Sequence, residues 1–244
     1  MCGRYSLTLG AADLAERFDA APPDGWEPRY NCAPGQDLPV LADDAPDEFR
    51  RMTWGYTPPW ADESFDLINA RVETVDEKRT FAEAFESRRC LVPADGFYEW
   101  SDHVGEKRPY RVAFEDDRAF AMAGVHAVWE PPTPGRQAGL GEWGGGSADG
   151  DGDAADERVE AFAVLTTEPN DRVADLHHRM AVVLPRERER DWLAGDLGKA
   201  DLLEPYPGDD LRWYPVSTRV NSPANDDPSL VDPVDSDGDA DAGA

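Results

Sequence analysis

The first six residues, MCGRYS, place a cysteine directly after the initiator methionine. If Met1 is removed, Cys2 carries an amine and a thiol on adjacent carbons, a pair of nucleophiles that no internal cysteine offers. A small residue at position two also simply permits removal of the methionine. The position alone leaves both interpretations open, and the other polar residues of the chain must decide between them.

Glu99 lies in the aromatic stretch GFYEW and alternates with Phe97. In a strand this spacing puts both side chains on one face. A carboxyl group in such surroundings loses solvation, which raises its pKa and lets it hold a proton near neutral pH. A salt bridge to one of the arginines is an equally open interpretation.

Further polar residues stand within apolar stretches, namely Asn69 and Arg71 in INARVET and His177 in DLHHRM. Each has a structural alternative: Asn69 could cap a turn, and Arg71 could pair with Glu73 instead of binding phosphate. A single histidine is more often a hydrogen-bonded structural residue than a catalyst. His177 and His178 are expected on opposite faces of a strand.

The remaining cysteines, Cys32 and Cys90, have no metal-ligand spacing between them. We predict that both are buried small apolar residues and that the sparse thiols are reduced. The chain also lacks a glycine-rich phosphate loop. No metal and no cofactor is therefore predicted.

Charge is the most unusual feature of the composition, with 51 acidic and 24 basic residues and a net charge of −27. The acidic residues are spread along the chain, which favours a surface adapted to a high-salt cytoplasm, as in halophilic archaea, over an acidic decoy tract. The amino-terminal stretch has no signal-peptide design, and no apolar run approaches the roughly 20 residues of a membrane span. A cytoplasmic protein without a membrane partner is expected.

Two helices are indicated in the first half of the chain. Residues 11–18 have an amphipathic pattern, and a second helix is predicted from a capping box of Thr74 and Glu77 followed by Phe81 and Phe85 on one face.

From residue 89 the pattern changes to period two, and Asp95-Gly96 predicts a turn between two strands. A last helix is predicted over 186–195. Further strand-like runs are 109–115, 119–129, 159–167 and 180–185. The sequence therefore predicts one α+β domain with a largely antiparallel sheet. Its predicted bounds are 1–223, with an acidic, flexible insertion at about 133–157 and a flexible acidic tail over 224–244.

Taken in order, these motifs resemble the SRAP family, named for SOS-response-associated peptidases and understood as sensors of abasic sites in DNA. The matching stretches are MCGRY, RYNCAP, WGYTPPW, NARVET, RCLVPADGFYEW, KRPY, LTTEPN and HHRMAVVLP. They span almost the whole chain apart from the insertion and the tail. The resemblance implies a compact α+β domain around a barrel-like sheet with flanking helices.

The resemblance also implies a reaction for Cys2. Once Met1 is removed, which the family is thought to perform on itself, an α-amino group with a pKa of about 7.7–8.0 can attack an aldehyde to give a Schiff base. The neighbouring thiol then closes a five-membered thiazolidine ring. The aldehyde would be the opened sugar of an abasic site in single-stranded DNA, and the product would be a covalent crosslink that shields the lesion.

The other roles follow by matching positions to the family's motifs. Asn69 would hydrogen-bond at the reacting sugar, Glu99 would assist proton transfer, and His177 would contact the sugar oxygen. In this chain the family's aspartate after that histidine is replaced by His178, and the proline after the methionine by Ala181.

Five residues are implied to contact DNA. Arg71 matches a phosphate-binding arginine, and Arg4 and Asn31 lie in motifs that line the same site. Because the net charge is strongly negative, DNA must meet a local basic strip formed by Arg4, Arg71, Arg108 and Arg179. The expected partner is single-stranded DNA containing abasic sites, bound by a monomer.

Three other classes compete with this hypothesis. Glutamine amidotransferases of the amino-terminal-nucleophile class also begin Met-Cys-Gly, but the Asn-Gly-Glu and Arg-Gly-Pro-Asp stretches that they share do not occur here. A cysteine peptidase could use Cys2 and His177 as nucleophile and base. The scarcity of lysine and the lack of a basic tract count against a plain DNA-binding protein.

Overall fold

The computed structural model describes residues 2–102, 107–131 and 158–234. The strands in these ranges are β1 (Tyr5–Leu7), β2 (Arg29–Cys32), β3 (Asp37–Ala42), β4 (Ala45–Trp54), β5 (Asn69–Arg71), β6 (Arg89–Ala94), β7 (Gly96–Ser101), β8 (Arg108–Phe114), β9 (Phe120–Trp129), β10 (Val159–Thr167), β11 (Met180–Ala181), β12 (Val183–Leu184) and β13 (Leu211–Pro215). The α-helices are α1 (Ala11–Phe18), α2 (Ala82–Ser87), α3 (Asp171–Ala174), α4 (Glu189–Ala194) and α5 (Lys199–Leu203). Short 3₁₀ turns cover Val72–Thr74, Arg186–Arg188, Thr218–Asn221 and Pro228–Val231.

Five strands close into a barrel. Strand β10 pairs with β4, β4 with β3, β3 with β6, β6 with β9, and β9 returns to β10. Only the contact between β4 and β10 is parallel in this ring. The short strands β5, β11 and β12 extend the barrel at its edges. The predicted α+β class with a largely antiparallel, barrel-like sheet is confirmed.

A second sheet of five antiparallel strands has the order β13, β8, β7, β1, β2. It packs on the barrel through aromatic side chains. The Tyr5 ring of this sheet lies 5.3 Å from the Trp54 ring of the barrel, and Trp54 stacks on Phe162 at 6.1 Å. The main core therefore lies between the two sheets as well as inside the barrel.

Several local predictions are confirmed. Helix α1 covers the predicted residues 11–18 and buries Leu14 and Phe18. The predicted strand runs correspond to β8 to β12, and the last predicted helix is present as a 3₁₀ turn followed by α4. Cys32 and Cys90 are buried free thiols.

The predicted helix after Thr74 is wrong in its starting point. Residues 72–81 form a 3₁₀ turn and irregular turns, and α2 begins only at Ala82. The tertiary contacts of this segment prevail over the local capping signal, because Val72 and Val75 are fully buried. Phe81 and Phe85 are both buried, as the spacing predicts.

The turn predicted at Asp95-Gly96 is present as a bend between β6 and β7, and it joins two different sheets. Strand β6 before it pairs with β3 and β9 in the barrel, whereas β7 after it pairs with β1 and β8 in the second sheet. The pair is the crossing between sheets. A Cβ atom on Gly96 would lie 2.6 Å from Nε of Arg111, so glycine is needed for the close approach of this guanidinium.

The proximal part of the predicted flexible tail is folded. Residues 228–231 form a 3₁₀ turn, and Leu230 is fully buried against the second sheet. This apolar anchor and the hydrogen bonds of Asp226 described below outweigh the acidic composition. Residues 235–244 and the predicted insertion at 133–157 lie outside the described residues. Among the described helices, none has the length and apolar character needed to span a membrane.

Candidate active site at the amino terminus

Cys2 lies three residues before β1 and is fully buried. Its Sγ is 3.9 Å from the Arg4 carbonyl oxygen, a weak hydrogen bond. Burial raises the pKa of the Cys2 thiol to about 12, and the negative charge of Glu99 acts in the same direction. The thiol is therefore protonated at neutral pH.

Asn69 approaches Cys2 from the barrel. It is the first residue of β5, which runs parallel to β10 with Asn69 opposite Val164. Its Nδ2 donates to the Cys2 carbonyl oxygen at 2.9 Å. Its Oδ1 is buried and has no hydrogen-bond partner within the described part of the chain. One end of the amide thus fixes the Cys2 backbone, while the other is an unused acceptor beside it.

Glu99 reaches the same place from the second sheet. Strand β7 pairs with β1 so that Tyr5 lies opposite Phe97, and the Tyr98 amide donates to the Arg4 carbonyl at 2.9 Å. Continued by two residues, this register places Gly3 opposite Glu99. Glu99 is 3% exposed.

Burial raises the pKa of the Glu99 carboxyl group to about 7, while the positive charge at the amino terminus acts in the opposite direction. The sequence-based expectation of a raised pKa is confirmed. A carboxyl group of this pKa both donates and accepts a proton near neutral pH.

His177 lies in the bend between α3 and β11 and is half-buried. Nδ1 of His177 lies 3.0 Å from both the amide nitrogen and the carbonyl oxygen of Arg179, which fixes the orientation of the ring. Burial lowers the pKa of His177, and the positive charges of the amino terminus, His178 and Lys107 act in the same direction. The ring is therefore neutral at pH 7.

The two histidines do not point to opposite faces of a strand, so that prediction is wrong. Their ring centroids are 4.3 Å apart and the ring planes are inclined by 31°. The reason is the backbone, because residues 177–179 form a bend and the strand begins only at Met180. His178 is the exposed member of the pair.

Arg4 and Arg71 are placed differently by the fold. One Nη atom of Arg4 donates to Asn31 Oδ1 and to the Val220 carbonyl oxygen, both at 2.8 Å, and its guanidinium lies 6.0 Å from the Trp100 ring. Arg71 is exposed on β5, two residues after Asn69, and no ion pair involves it among the described residues. Arg108, half-buried, lies opposite Ser101 on β8.

Two of the residues predicted to contact DNA, Asn31 and Arg179, form several hydrogen bonds within the protein. Asn31 is fully buried, and its Nδ2 donates to the carbonyl oxygens of Val220, Ser222 and Asn225 at 2.7–3.3 Å. Its side chain therefore orients Arg4 and the carboxyl-terminal part of the chain.

Arg179 is likewise occupied, because its guanidinium forms a two-pronged ion pair with Glu73 and donates to the Thr166 carbonyl oxygen. The alternative pairing of Glu73 with Arg71 is not formed. Two charged residues separated by 106 positions are joined here, and nothing in the local sequence indicates this.

Trp100 is a site residue that sequence reasoning missed. It is partly exposed beside Glu99, and its Nε1 donates to Asn221 Oδ1 at 2.7 Å. Alternation along β7 was the available signal, since Glu99 faces the core and its neighbour must face outward.

Comparisons with known proteins are consistent with this geometry. The model of the family described as SOS response associated peptidase (SRAP) matches residues 1–223. The abasic site processing protein YoqW of Bacillus subtilis is 35% identical, over 95% of this chain and 99% of its own. YoaM of the same organism, which carries the same description, is 33% identical over 95% and 98%. A crystal structure of a protein from Bacteroides thetaiotaomicron, 25% identical, superimposes with a TM-score of 0.77 over 96% of this chain and 100% of that one.

The geometry predicts that Glu73 contributes to stability through Arg179. We expect Glu73→Gln to lower the free energy of unfolding by about 1–3 kcal/mol, because a buried guanidinium loses its charged partner. The pKa of Glu73 is lowered, chiefly by its hydrogen bond with Arg179. The contribution is therefore present at neutral pH and is lost as the pH falls through the folded-state pKa.

Urea unfolding of the wild type and the variant at several pH values measures this effect. Glu77→Gln is the matched control, because Glu77 lies 3.6 Å from Lys199 in an exposed pair that contributes little. Equal unfolding free energies for the two variants would contradict the structural role of Arg179.

Proposed function

The chain belongs to the SRAP family, and from this premise we propose that it senses abasic sites in DNA and crosslinks to them through its mature amino terminus. The observation that carries the proposal is the convergence on Cys2 of two polar residues from different sheets. Asn69 donates to the Cys2 carbonyl oxygen, and the β1–β7 register brings Glu99 opposite Gly3, where its negative charge adds to burial in raising the pKa of the Cys2 thiol. The names of the relatives as abasic site processing proteins support the same conclusion.

The reaction begins with removal of Met1, for which we propose self-catalysed hydrolysis of the Met1–Cys2 peptide bond. One water is consumed and methionine is released. The Cys2 amine then becomes the first nucleophile, because an α-amino group is partly neutral at pH 7 whereas burial raises the pKa of the thiol. The amine nitrogen attacks the aldehyde carbon of the opened sugar, and loss of water gives an imine.

Ring closure follows within the same residue. The Cys2 sulfur adds to the imine carbon while its proton passes to the nitrogen, so the thiazolidine forms without any further reagent. Both nucleophiles sit on one side chain, and the second attack is therefore intramolecular. Glu99 is the proton carrier for these steps, since its pKa of about 7 suits both directions of transfer.

His177 and Asn69 orient the sugar in this proposal. The neutral His177 ring forms a hydrogen bond with a sugar oxygen through Nε2. Asn69 Oδ1 accepts from a sugar hydroxyl, which supplies the partner that this buried oxygen otherwise lacks. Arg71, Arg4 and Arg108 face the phosphates.

Single-stranded DNA is the proposed form of the substrate. A single strand carries about half the charge per unit length of a duplex and is repelled less by a chain of net charge −27. Its sugars also turn outward freely enough to reach a buried amino-terminal residue. We further propose that the protein acts as a cytoplasmic monomer.

Intact-mass measurement after incubation with a single-stranded abasic oligonucleotide tests the proposal directly. We expect the isolated protein to lack Met1 and to gain the mass of the oligonucleotide less one water. Cys2→Ser should bind the oligonucleotide but form no heat-stable adduct, because an oxygen nucleophile gives a much less stable ring.

Cys90→Ala is the matched control, because Cys90 is an equally buried thiol remote from this site. It should retain the adduct. Wild-type adduct yield in Cys2→Ser, or in protein that keeps Met1, would exclude the aminothiol mechanism.

The pH dependence of crosslinking reports on Glu99. Below about pH 7 the carboxyl group is protonated and can donate, whereas the Cys2 amine becomes nucleophilic only as it loses its own proton. The two requirements oppose each other and predict a bell-shaped rate profile. Glu99→Gln should be about a hundredfold slower at the optimum and should lose the alkaline fall, leaving a rate that only rises with pH.

Single-turnover adduct formation between pH 5.5 and pH 9, followed by denaturing electrophoresis, is the measurement for this prediction. An unchanged alkaline fall in Glu99→Gln would assign that limb to another group.

The acidic surface leads to a prediction about salt. We propose that this charge is an adaptation to high ionic strength, as in halophilic archaea. A protein of net charge −27 repels DNA at low salt, and screening shortens this repulsion to roughly 3 Å at molar salt. Adduct yield should therefore rise with potassium chloride, with circular dichroism recorded in parallel to follow folding. A yield that falls steadily while the protein stays folded would refute the adaptation.

A further inference from the structure

Residues 218–232, called here the carboxyl-terminal segment, cross the outer face of the second sheet. Val220 and Leu230 of this segment are fully buried and pack with Tyr98, whose side chain points away from the face that carries Glu99. The Tyr98 hydroxyl also donates to the Tyr30 carbonyl oxygen at 2.7 Å. The carboxyl-terminal segment is therefore part of the folded domain and covers the outer face of the second sheet.

Asp226 fastens the segment to β2. One carboxylate oxygen accepts from the backbone amides of Tyr30 and Asn31 at 2.6 and 3.0 Å, and the other accepts from Nε of Arg29. A single side chain therefore satisfies two backbone donors at the edge strand of the sheet and neutralises an arginine. Asp226 lies beyond residues 1–223, the range that the family model matches.

The segment in turn holds Arg4, one of the groups assigned to DNA. Its Val220 carbonyl accepts from Arg4, and its carbonyls at 220, 222 and 225 orient the Asn31 amide so that Asn31 Oδ1 accepts from the same guanidinium. A continuous chain of hydrogen bonds runs from Asp226 through Asn31 to Arg4. Asp226 itself points away from Arg4 and into β2.

We propose that Asp226 is a positioning residue for DNA binding that acts through Arg4. The inference rests on the proposed function, because it assigns Arg4 to DNA. When Asp226 holds the segment on β2, the Arg4 guanidinium is gripped by two oxygens and keeps a fixed direction beside Trp100. When Asp226 is lost, both acceptors of Arg4 shift and the guanidinium loses that direction.

The charge of Asp226 allows positioning to be distinguished from simple electrostatics. Asp226→Asn removes a negative charge close to the DNA-binding face, so simple electrostatics predicts tighter binding of a polyanion. Loss of positioning predicts weaker binding. Asp226→Glu keeps the charge and displaces the carboxylate by one methylene, so electrostatics predicts no change while positioning again predicts weaker binding.

The experiment uses the full chain and two single-stranded oligonucleotides. Fluorescence anisotropy measures the Kd for an oligonucleotide with a tetrahydrofuran residue, which has no aldehyde and cannot crosslink. Single-turnover kinetics with a true abasic oligonucleotide separates the half-saturating DNA concentration from the saturating rate. Asp210→Asn is the matched control, because it removes one charge and the ion pair with Arg118.

We expect both Asp226 variants to raise Kd and the half-saturating concentration roughly fivefold, with the saturating rate within about twofold of wild type. When Arg4 is already replaced by alanine, the Asp226 substitutions should not raise the Kd any further, because their effect passes through Arg4. Asp210→Asn should bind as tightly as wild type or more tightly.

Each other result is decisive. If the wild-type protein crosslinks and both Asp226 variants have an unchanged or lowered Kd, the inference is overturned and the proposed function stands. Weakened tetrahydrofuran binding without any wild-type crosslink supports the inference and refutes the proposed reaction. If the Asp226 substitutions weaken DNA binding just as much when Arg4 is already alanine, the effect does not pass through Arg4. Loss of folded structure in both Asp226 variants, measured by circular dichroism, has the same meaning. Either result shows that Asp226 only stabilises the fold.

Discussion

A buried ion pair between Asp95 and Arg111 fixes the relation between the two sheets. Their side chains are 2% and 5% exposed, and Arg111 Nη2 lies 2.8 Å from Asp95 Oδ1. The same carboxylate accepts at 2.7 Å from the hydroxyls of Ser6, in the middle of β1, and Thr8, directly after β1. A charge so deeply buried requires all these donors, because an unpaired carboxylate there would be strongly destabilising. The crossing from the barrel to the second sheet is therefore held against β1, the strand that follows Cys2.

This lock matters because the candidate site belongs to neither sheet alone. Asn69 enters from the barrel through β5, and Glu99 enters from the second sheet through β7. Cys2 meets both only if the sheets keep their relative position. Burial of the site is the main cause of both pKa shifts, since it raises the pKa of the Cys2 thiol to about 12 and that of the Glu99 carboxyl group to about 7. Packing and reactivity have the same physical origin.

Sequence reasoning succeeded where the signal is local. Period-two alternation located the long strands, the amphipathic pattern located α1, and the position of Glu99 among aromatic residues predicted its raised pKa. It failed where distant partners decide the outcome. Asp95-Gly96 has the composition of a tight turn, yet the chain crosses there between two sheets and Asp95 pairs with Arg111. Arg179 likewise pairs with Glu73, which lies far away in the sequence. These two pairs are separated by 16 and 106 positions and leave no local pattern.

The hydrogen bond from Arg4 to the Val220 carbonyl spans 216 positions, which sets an order of events during synthesis. A ribosome synthesises Cys2 long before Val220, and domains of such long-range topology fold as units. Until Val220 has been synthesised, the nascent chain therefore contains Cys2 and Arg4 but lacks the carbonyl oxygen that holds Arg4. The complete site can form only after β13 and the carboxyl-terminal segment have emerged from the ribosome. Cys2, which starts the proposed reaction, is therefore synthesised long before the residues that complete its surroundings.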